Sequence, residues 1–252
     1  MAADNTPELM PERLAAQTAM TNAQWVYLVL SAIFISSLLI ADIIGVRLFK
    51  LNIFGWNVEH TCGMLTFPVT FLLTDLVNEY FGQKAARRLV WLGLAMGMFV
   101  FIVVNVSLAM PHLDKPYNVS EDAYGSIFAN SRIMYIASLS AYLVGSFSDI
   151  LIFAWIKRLT GGKMVWLRAT GSTIISQVID SFVVTWLAFS VGRHLFPSAG
   201  AEPMTMPDVL RTAATGYTLK FVLAIGITPL IYLGRYIIRT RYGLVPLPAS
   251  KA

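Results

Sequence analysis

Six stretches of this sequence are apolar for about 20 residues each, the length an α-helix needs to cross a hydrocarbon core of about 30 Å. They run roughly over 24–45, 62–81, 88–110, 132–157, 170–192 and 215–238. Few folds are open to such a chain. In lipid every backbone N–H and C=O must find its partner within the protein, which helices achieve and open strands do not. The expectation is an all-α integral membrane protein with six transmembrane helices. Composition agrees, since 13% of residues are charged and 56% are hydrophobic, whereas soluble domains carry about 25% charged residues.

The organisation read from this pattern is a cytoplasmic tail over 1–23, a six-helix membrane domain over 24–240 and a second cytoplasmic tail over 241–252. Within the first tail, residues 8–20 read equally as an interfacial helix or as disorder. The tail carries Asp4, Glu8 and Glu12 and lacks a basic n-region, so no cleavable signal peptide is expected. Connections are short except for the polar segments 111–131 and 193–214.

A net charge of +5 raises a nucleic-acid partner. The basic residues argue against it, because they sit at the ends of apolar stretches. Counting Lys and Arg by alternate loops gives twelve on the side of both termini and six on the other. By the positive-inside rule both termini are cytoplasmic. Cys62 is the one cysteine, and His60, His112 and His194 lie at no ligand spacing, so neither a metal nor a cofactor is expected. Pro68 and Pro229 fall inside expected helices and should kink them. Gly93 and Gly97 form a GxxxG, which suits close helix approach within the chain or across a homodimer.

Acids inside the apolar stretches point to function. A carboxylate at bilayer depth costs roughly 2.5–3.5 kcal/mol on insertion scales, a cost that folding alone does not require. The second stretch carries Thr66, Thr70, Thr74 and Asn78 at steps of four, with Asp75 and Glu79 beside them; residues four apart share a helix face. The fourth carries Ser138, Tyr142, Gly145 and Asp149, and the fifth Thr173, Gln177, Asp180 and Ser181. Three polar stripes, each with an acid, are expected to turn inward around a shared cavity. Lys220 and Arg132 supply cations from the outer side. The competing reading is structural: Asp149 or Asp180 pairs with Lys220 or Arg132 and only holds the bundle together. Glu79 and Asn78 are close to the cytoplasmic boundary, where a solvated helix end is an equal option. Asp42 reads as interfacial.

The run FPVTFLLTDLVNEYFGQKAARR (67–88), the segment from Arg132 through YLVGSFSDILIFAWIKR (132–158), and the runs WLRATGSTIISQVIDS (166–181) and YTLKFVLAIGITPLIY (217–232) together resemble the queuosine precursor transporter family, also called the vitamin uptake transporter family. The resemblance covers nearly all of residues 25–240. It implies uptake of deazaguanine precursors of queuosine, 7-cyano-7-deazaguanine and its aminomethyl relative, across a bacterial inner membrane. It also implies functional roles for Asp75, Glu79, Arg132, Asp149, Gln177, Asp180 and Lys220. Asn78 stands where many relatives carry another residue. More loosely, the six helices are similar to the substrate-binding subunits of energy-coupling-factor importers, which makes a substrate-capture subunit with a separate ATPase the alternative.

The side-chain chemistry suits a flat polar guest. A carboxylate such as Asp180 or Glu79 accepts two parallel N–H donors of a guanine-like edge, and Gln177 both donates and accepts. Phe71, Tyr142, Phe182 and Trp186 offer stacking faces, although rings are also ordinary lipid-facing residues. There is no G-x-x-x-x-G-K-[ST] motif, so the energy source is a gradient carried by a buried Asp, facilitated diffusion or a partner ATPase. An enzyme is not expected. An intramembrane aspartyl protease needs two acids sharing a proton, and LTDLVNE and SFSDIL lack its motif context.

Overall fold

The structure, a computed structural model, describes residues 20–248 apart from 46, 54–55, 129–131, 162, 192–193 and 195–201. The proposed interfacial helix at 8–20 therefore lies outside the described residues, except for Met20. Helix α1 spans Asn22–Ile44. Thr21 caps it: its hydroxyl accepts from the Gln24 N–H, and the Gln24 side chain accepts from the Thr21 N–H at 2.9 Å, a reciprocal arrangement that satisfies two otherwise orphaned donors. Val26, Leu30, Phe34 and Leu38 form a buried stripe, while Trp25, Leu28, Ile33, Ile40 and Ile43 are exposed. A helix in water would place polar residues on that outer face; this one presents hydrocarbon to lipid.

Two short strands follow, β1 (Leu48–Ile53) and β2 (Trp56–Thr61). They pair antiparallel with Leu48 opposite Thr61 and Ile53 opposite Trp56. The hydropathy pattern held no sign of this hairpin, because six-residue strands of mixed polarity fall below the length that such a pattern resolves.

A 3-10 turn, Cys62–Leu65, leads into helix α2, Phe67–Leu108. Pro68 lies in the first turn of α2, where its missing N–H would have had no partner anyway. The expected kink at Pro68 is thus overturned. The break falls instead at Gly82, whose φ of 81° and ψ of 174° belong to a region essentially confined to glycine. Contacts with α1 show what the break does. Gly63 abuts the Ala41 carbonyl near the end of α1. Tyr27, near its start, packs on Phe81 and donates to the Ala85 carbonyl at 3.2 Å. Gly93 then faces Phe34 and Leu38. The chain therefore descends along α1 from 63 to 81, reverses at Gly82 and climbs back over 83–108.

Helix α3 (Glu121–Phe128) is short. Helix α4 spans Arg132–Leu159, and α5 spans Val165–Thr185 before a π-helical turn at Trp186–Val191. Helix α6, Met206–Tyr242, has 37 residues and is about 55 Å long at 1.5 Å per residue. It starts well before the expected 215 and outruns the bilayer core. It ends at Gly243, left-handed at φ 68°, whose N–H donates to the Arg239 carbonyl. Five of these helical stretches are long and apolar enough to cross a membrane, counting Cys62–Leu108 as one. Helix α5 packs between α4 and α6, and α2 packs on α1, α4 and α6.

The GxxxG works inside the chain. A Cβ at Gly93 would fall 2.6 Å from the Tyr142 hydroxyl, and one at Gly97 would fall 2.8 Å from Leu139. Hydrogen bonds from Tyr142 to the Val90 carbonyl and from Tyr135 to the Gly97 carbonyl, both 3.0 Å, use that close approach. Elsewhere the described contacts gather the basic segments at one end of the bundle. Glu79 meets Lys157 and Arg235, and Asn22 donates to the Tyr242 carbonyl.

Candidate functional site

The interior is unusually polar for a body with an apolar exterior. Thr70, Thr74, Asp75, Asn78 and Glu79 on α2, Asp149 on α4, and Ser172, Thr173, Ser176, Gln177, Asp180 and Ser181 on α5 are all buried. The hydroxyls partly serve their own helices: Thr74 donates to the Thr70 carbonyl at 2.8 Å, and Thr70 to that of Phe67 at 2.6 Å. Most of each expected stripe is buried, but Thr66 and Ser138 are half-buried, and the pocket described next takes no wall from α4.

A narrow, partly open pocket, with a cavity of about 10 Å³, lies between the start of α2, the middle of α5 and α6. Its walls include Phe67 and Phe71, with Thr173, Gln177 and Lys220 as the polar groups. Gln177 is 2% exposed, and neither its Oε1 nor its Nε2 has a hydrogen-bond partner among the described residues. A buried amide left unpaired costs about 1–3 kcal/mol. Such a group on a pocket wall marks a place where a partner belongs.

Lys220 enters the pocket from α6. Its Nζ sits 2.5 Å from Asp180 Oδ2 and 5.5 Å above the Phe67 ring. Helix α4 makes room for this pair: a Cβ on Gly145 would fall 3.0 Å from that of Asp180. Asp180 is thus behind the pocket wall, joined to it through Lys220. The pairing that the structural reading anticipated exists, and it stands at the edge of the pocket.

Glu79 is elsewhere. It is 3% exposed, not a solvated helix end. Its carboxylate lies 3.2 Å from Lys157 Nζ and 3.5 Å from Arg235 Nη1. The tail after α6 joins in, with the Leu247 N–H donating to the Glu79 carbonyl at 3.0 Å. Phe71 and Glu79 are eight residues apart, about 12 Å along the helix, so this cluster closes the bundle beyond the pocket. Neither Lys157 nor Arg235 was singled out from sequence. For Lys157 the sequence offers only a spacing, since Asp149, Phe153 and Lys157 follow at steps of four; its burial shows in the packing.

The remaining candidates scatter. Asp149 is fully buried between α4 and α5 and accepts from Ser176 at 3.1 Å. Asn78 donates to the Ile150 carbonyl at 3.3 Å. Asp75 is buried on α2 and has interactions of its own. Tyr142 points away from the pocket, toward Val90 and Phe34. Trp186 stacks on Phe182 at 6.5 Å. Asp42 accepts from Ser138 across α1 and α4 at 3.3 Å. The side chain of Arg132 lies outside the described residues. Met64, Phe67 and Pro68 line the pocket without having been anticipated.

Lipid-length helices, an apolar outer surface and a polar interior define a multi-pass membrane protein. Residues 61–234 match the family model described as "Putative vitamin uptake transporter", and the chain belongs to that family. Among curated proteins it is 27% identical over 186 residues to the "Probable queuosine precursor transporter" of Bacillus subtilis (strain 168), covering 73% of this chain and 75% of that one. It is 30% identical over 172 residues to the protein of the same name from Haemophilus influenzae (strain ATCC 51907 / DSM 11121 / KW20 / Rd), covering 68% and 69%. A third relative, the "Queuosine precursor transporter" of Escherichia coli (strain K12), is 28% identical over 138 residues, covering 55% and 58%. All three names are those of transporters rather than enzymes. No solved structure matches the chain significantly.

Proposed function

We propose that this chain carries queuosine precursors, the 7-cyano-7-deazaguanine base or its aminomethyl relative, across the inner membrane, and that the base binds in the pocket formed by α2, α5 and α6. Supporting the coarser part of this reading, two relatives, each matched over about two thirds or more of both chains, are named "Probable queuosine precursor transporter". The observation that carries the site is Gln177, buried with both amide atoms unpaired on the pocket wall. A guanine-like base presents a carbonyl beside a ring N–H. A carboxamide pairs with both at once, its N–H₂ donating to the carbonyl and its oxygen accepting from the ring N–H.

Phe67 and Phe71 supply apolar faces for the ring. Lys220 is a second donor, and Asp180 becomes an acceptor for the base's N–H groups once Lys220 turns toward the guest. Ligand sites usually measure about 300–1,000 Å³, whereas the cavity here is about 10 Å³, so α2, α5 and α6 must part to admit a base. Counting the two arms on either side of Gly82 separately, the chain crosses six times with both termini in the cytoplasm, the side holding Lys84, Arg87, Arg88, Lys157 and Arg235. Glu79 and its partners then close the cytoplasmic end.

The test is binding of the cyano-base to purified wild type, Gln177→Ala and Asp180→Asn, together with uptake by the purified chain alone in liposomes. Strong loss of binding in both variants, with the fold intact, is expected. Equal affinity in all three would move the site elsewhere. Binding without uptake would favour a capture subunit that needs an ATPase.

A further inference from the structure

The buried acids differ in one respect. Asp180 has Lys220, and Glu79 has Lys157 and Arg235. Asp149 is 0% exposed, and among the described residues no Lys, Arg or His forms an ion pair with it. Its Oδ1 accepts from the Ser176 hydroxyl at 3.1 Å, and Ser172 and Thr173 also offer hydroxyls. Its Oδ2 has no hydrogen-bond partner among the described residues.

An ionised carboxylate with no counter-charge is very costly in an apolar interior, and such groups are neutralised instead. The groups around Asp149 do not provide a free cation. Helix α5 contributes the three hydroxyls and, one turn beyond Ser176, Asp180 with its Lys220. Helix α2 contributes Asn78, bonded to the neighbouring Ile150 carbonyl, and carries the buried acids Asp75 and Glu79 within one turn of it. Helix α4 itself contributes Lys157, and α6 contributes Arg235, both on Glu79. A proton is the neutralising cation that needs no cavity of its own.

The position matters as much as the state. Gly145, one turn before Asp149 on α4, touches Asp180. The two acids therefore lie along one seam between α4 and α5, about one helical turn, 5.4 Å, apart in level. Thr173 belongs to both neighbourhoods, lining the pocket and standing beside Asp149.

We propose that Asp149 is a proton-binding site directly behind the pocket wall, and that its proton leaves through the pocket during each transport cycle. The step is a simple transfer. The O–H bond at Asp149 breaks, the proton passes past Thr173 to water admitted to the widened pocket, and the carboxylate left behind is held by the hydroxyls of Ser172, Thr173 and Ser176. Uptake is then proton-coupled. The coupling rests on the transport reading above; the proton site itself does not.

Infrared difference spectroscopy on the purified full chain in lipid tests the site without any base. Wild type at neutral pH should show the carbonyl stretch of a protonated carboxyl. Asp149→Asn should remove that band, and Ser176→Ala should shift it. Liposomes with an imposed pH gradient test the coupling: wild type should accumulate the cyano-base with the gradient, while Asp149→Asn should equilibrate it and ignore the gradient. A band unchanged by both substitutions overturns the proton site and leaves transport standing. A band that behaves as expected, in a chain that moves no base, overturns the transport reading instead. Uptake that follows a sodium gradient and not a pH gradient overturns the coupling. Should Asp149→Asn fail to fold, the Ser176→Ala shift decides whether the protonated carboxyl is Asp149.

Discussion

Lys220 and Asp180 face each other across α5 and α6 with 2.5 Å between Nζ and Oδ2, at the rim of the pocket. Removing one partner of a buried pair leaves the other charge uncompensated, at a cost of about 3–5 kcal/mol. Asp180→Asn and Lys220→Met should therefore each lower the thermal stability of the detergent-purified protein, and the double substitution should recover most of the loss. Base binding should stay lost in the double variant. Melting curves with and without the cyano-base check both points, and recovered binding would show the pair to be structural only.

Gln177 offers the opposite behaviour. Replacing a buried, unpaired amide by an apolar side chain removes a penalty of about 1–3 kcal/mol. Gln177→Leu should make the empty protein more stable while weakening base affinity at least about tenfold, a change equivalent to 1.4 kcal/mol. Calorimetric binding beside a melting curve separates the two effects. A variant both less stable and equally good at binding would mean that the amide has an internal partner.

Glu79→Gln should lower stability, since it strips the counter-charge from Lys157, which is 1% exposed, and from Arg235. Affinity for the base should change little, because the cluster lies about 12 Å along α2 from Phe71. An affinity loss as large as that of Gln177→Ala would place the guest at this end of the bundle.

Gly82→Ala puts a Cβ on a residue at φ 81° and ψ 174°, a conformation that costs other residues about 1–3 kcal/mol. Reduced yield and a lower melting temperature are expected. Gly125→Ala, where an added Cβ meets nothing within 4 Å, is the control and should behave like wild type.

Hydropathy located the helices because lipid demands a fixed apolar length, and steps of four identified the faces of α2, α4 and α5 that turn inward. It could not locate the start of α2, and Pro68 breaks a helix only if the helix has already begun. Nor could it choose among pairings. Lys157 is seven residues beyond Ile150 on a helix whose end reads as loop, and only packing against Glu79 shows it to be interior. The rings were the least legible, since Phe71 on the pocket and Tyr142 against Val90 look alike in a string of apolar residues. The hairpin at 48–61 was lost for want of length.

One carboxylate, Glu79, fastens α4 and α6 to α2, and the backbone carbonyl of the same residue receives the chain as it returns from α6. Ties that share one residue are not independent of one another. When that carboxylate turns away, its links to both neighbouring helices go at once. Passage at that end should accordingly be a switch with two positions, and its rate should follow how often one side chain lets go.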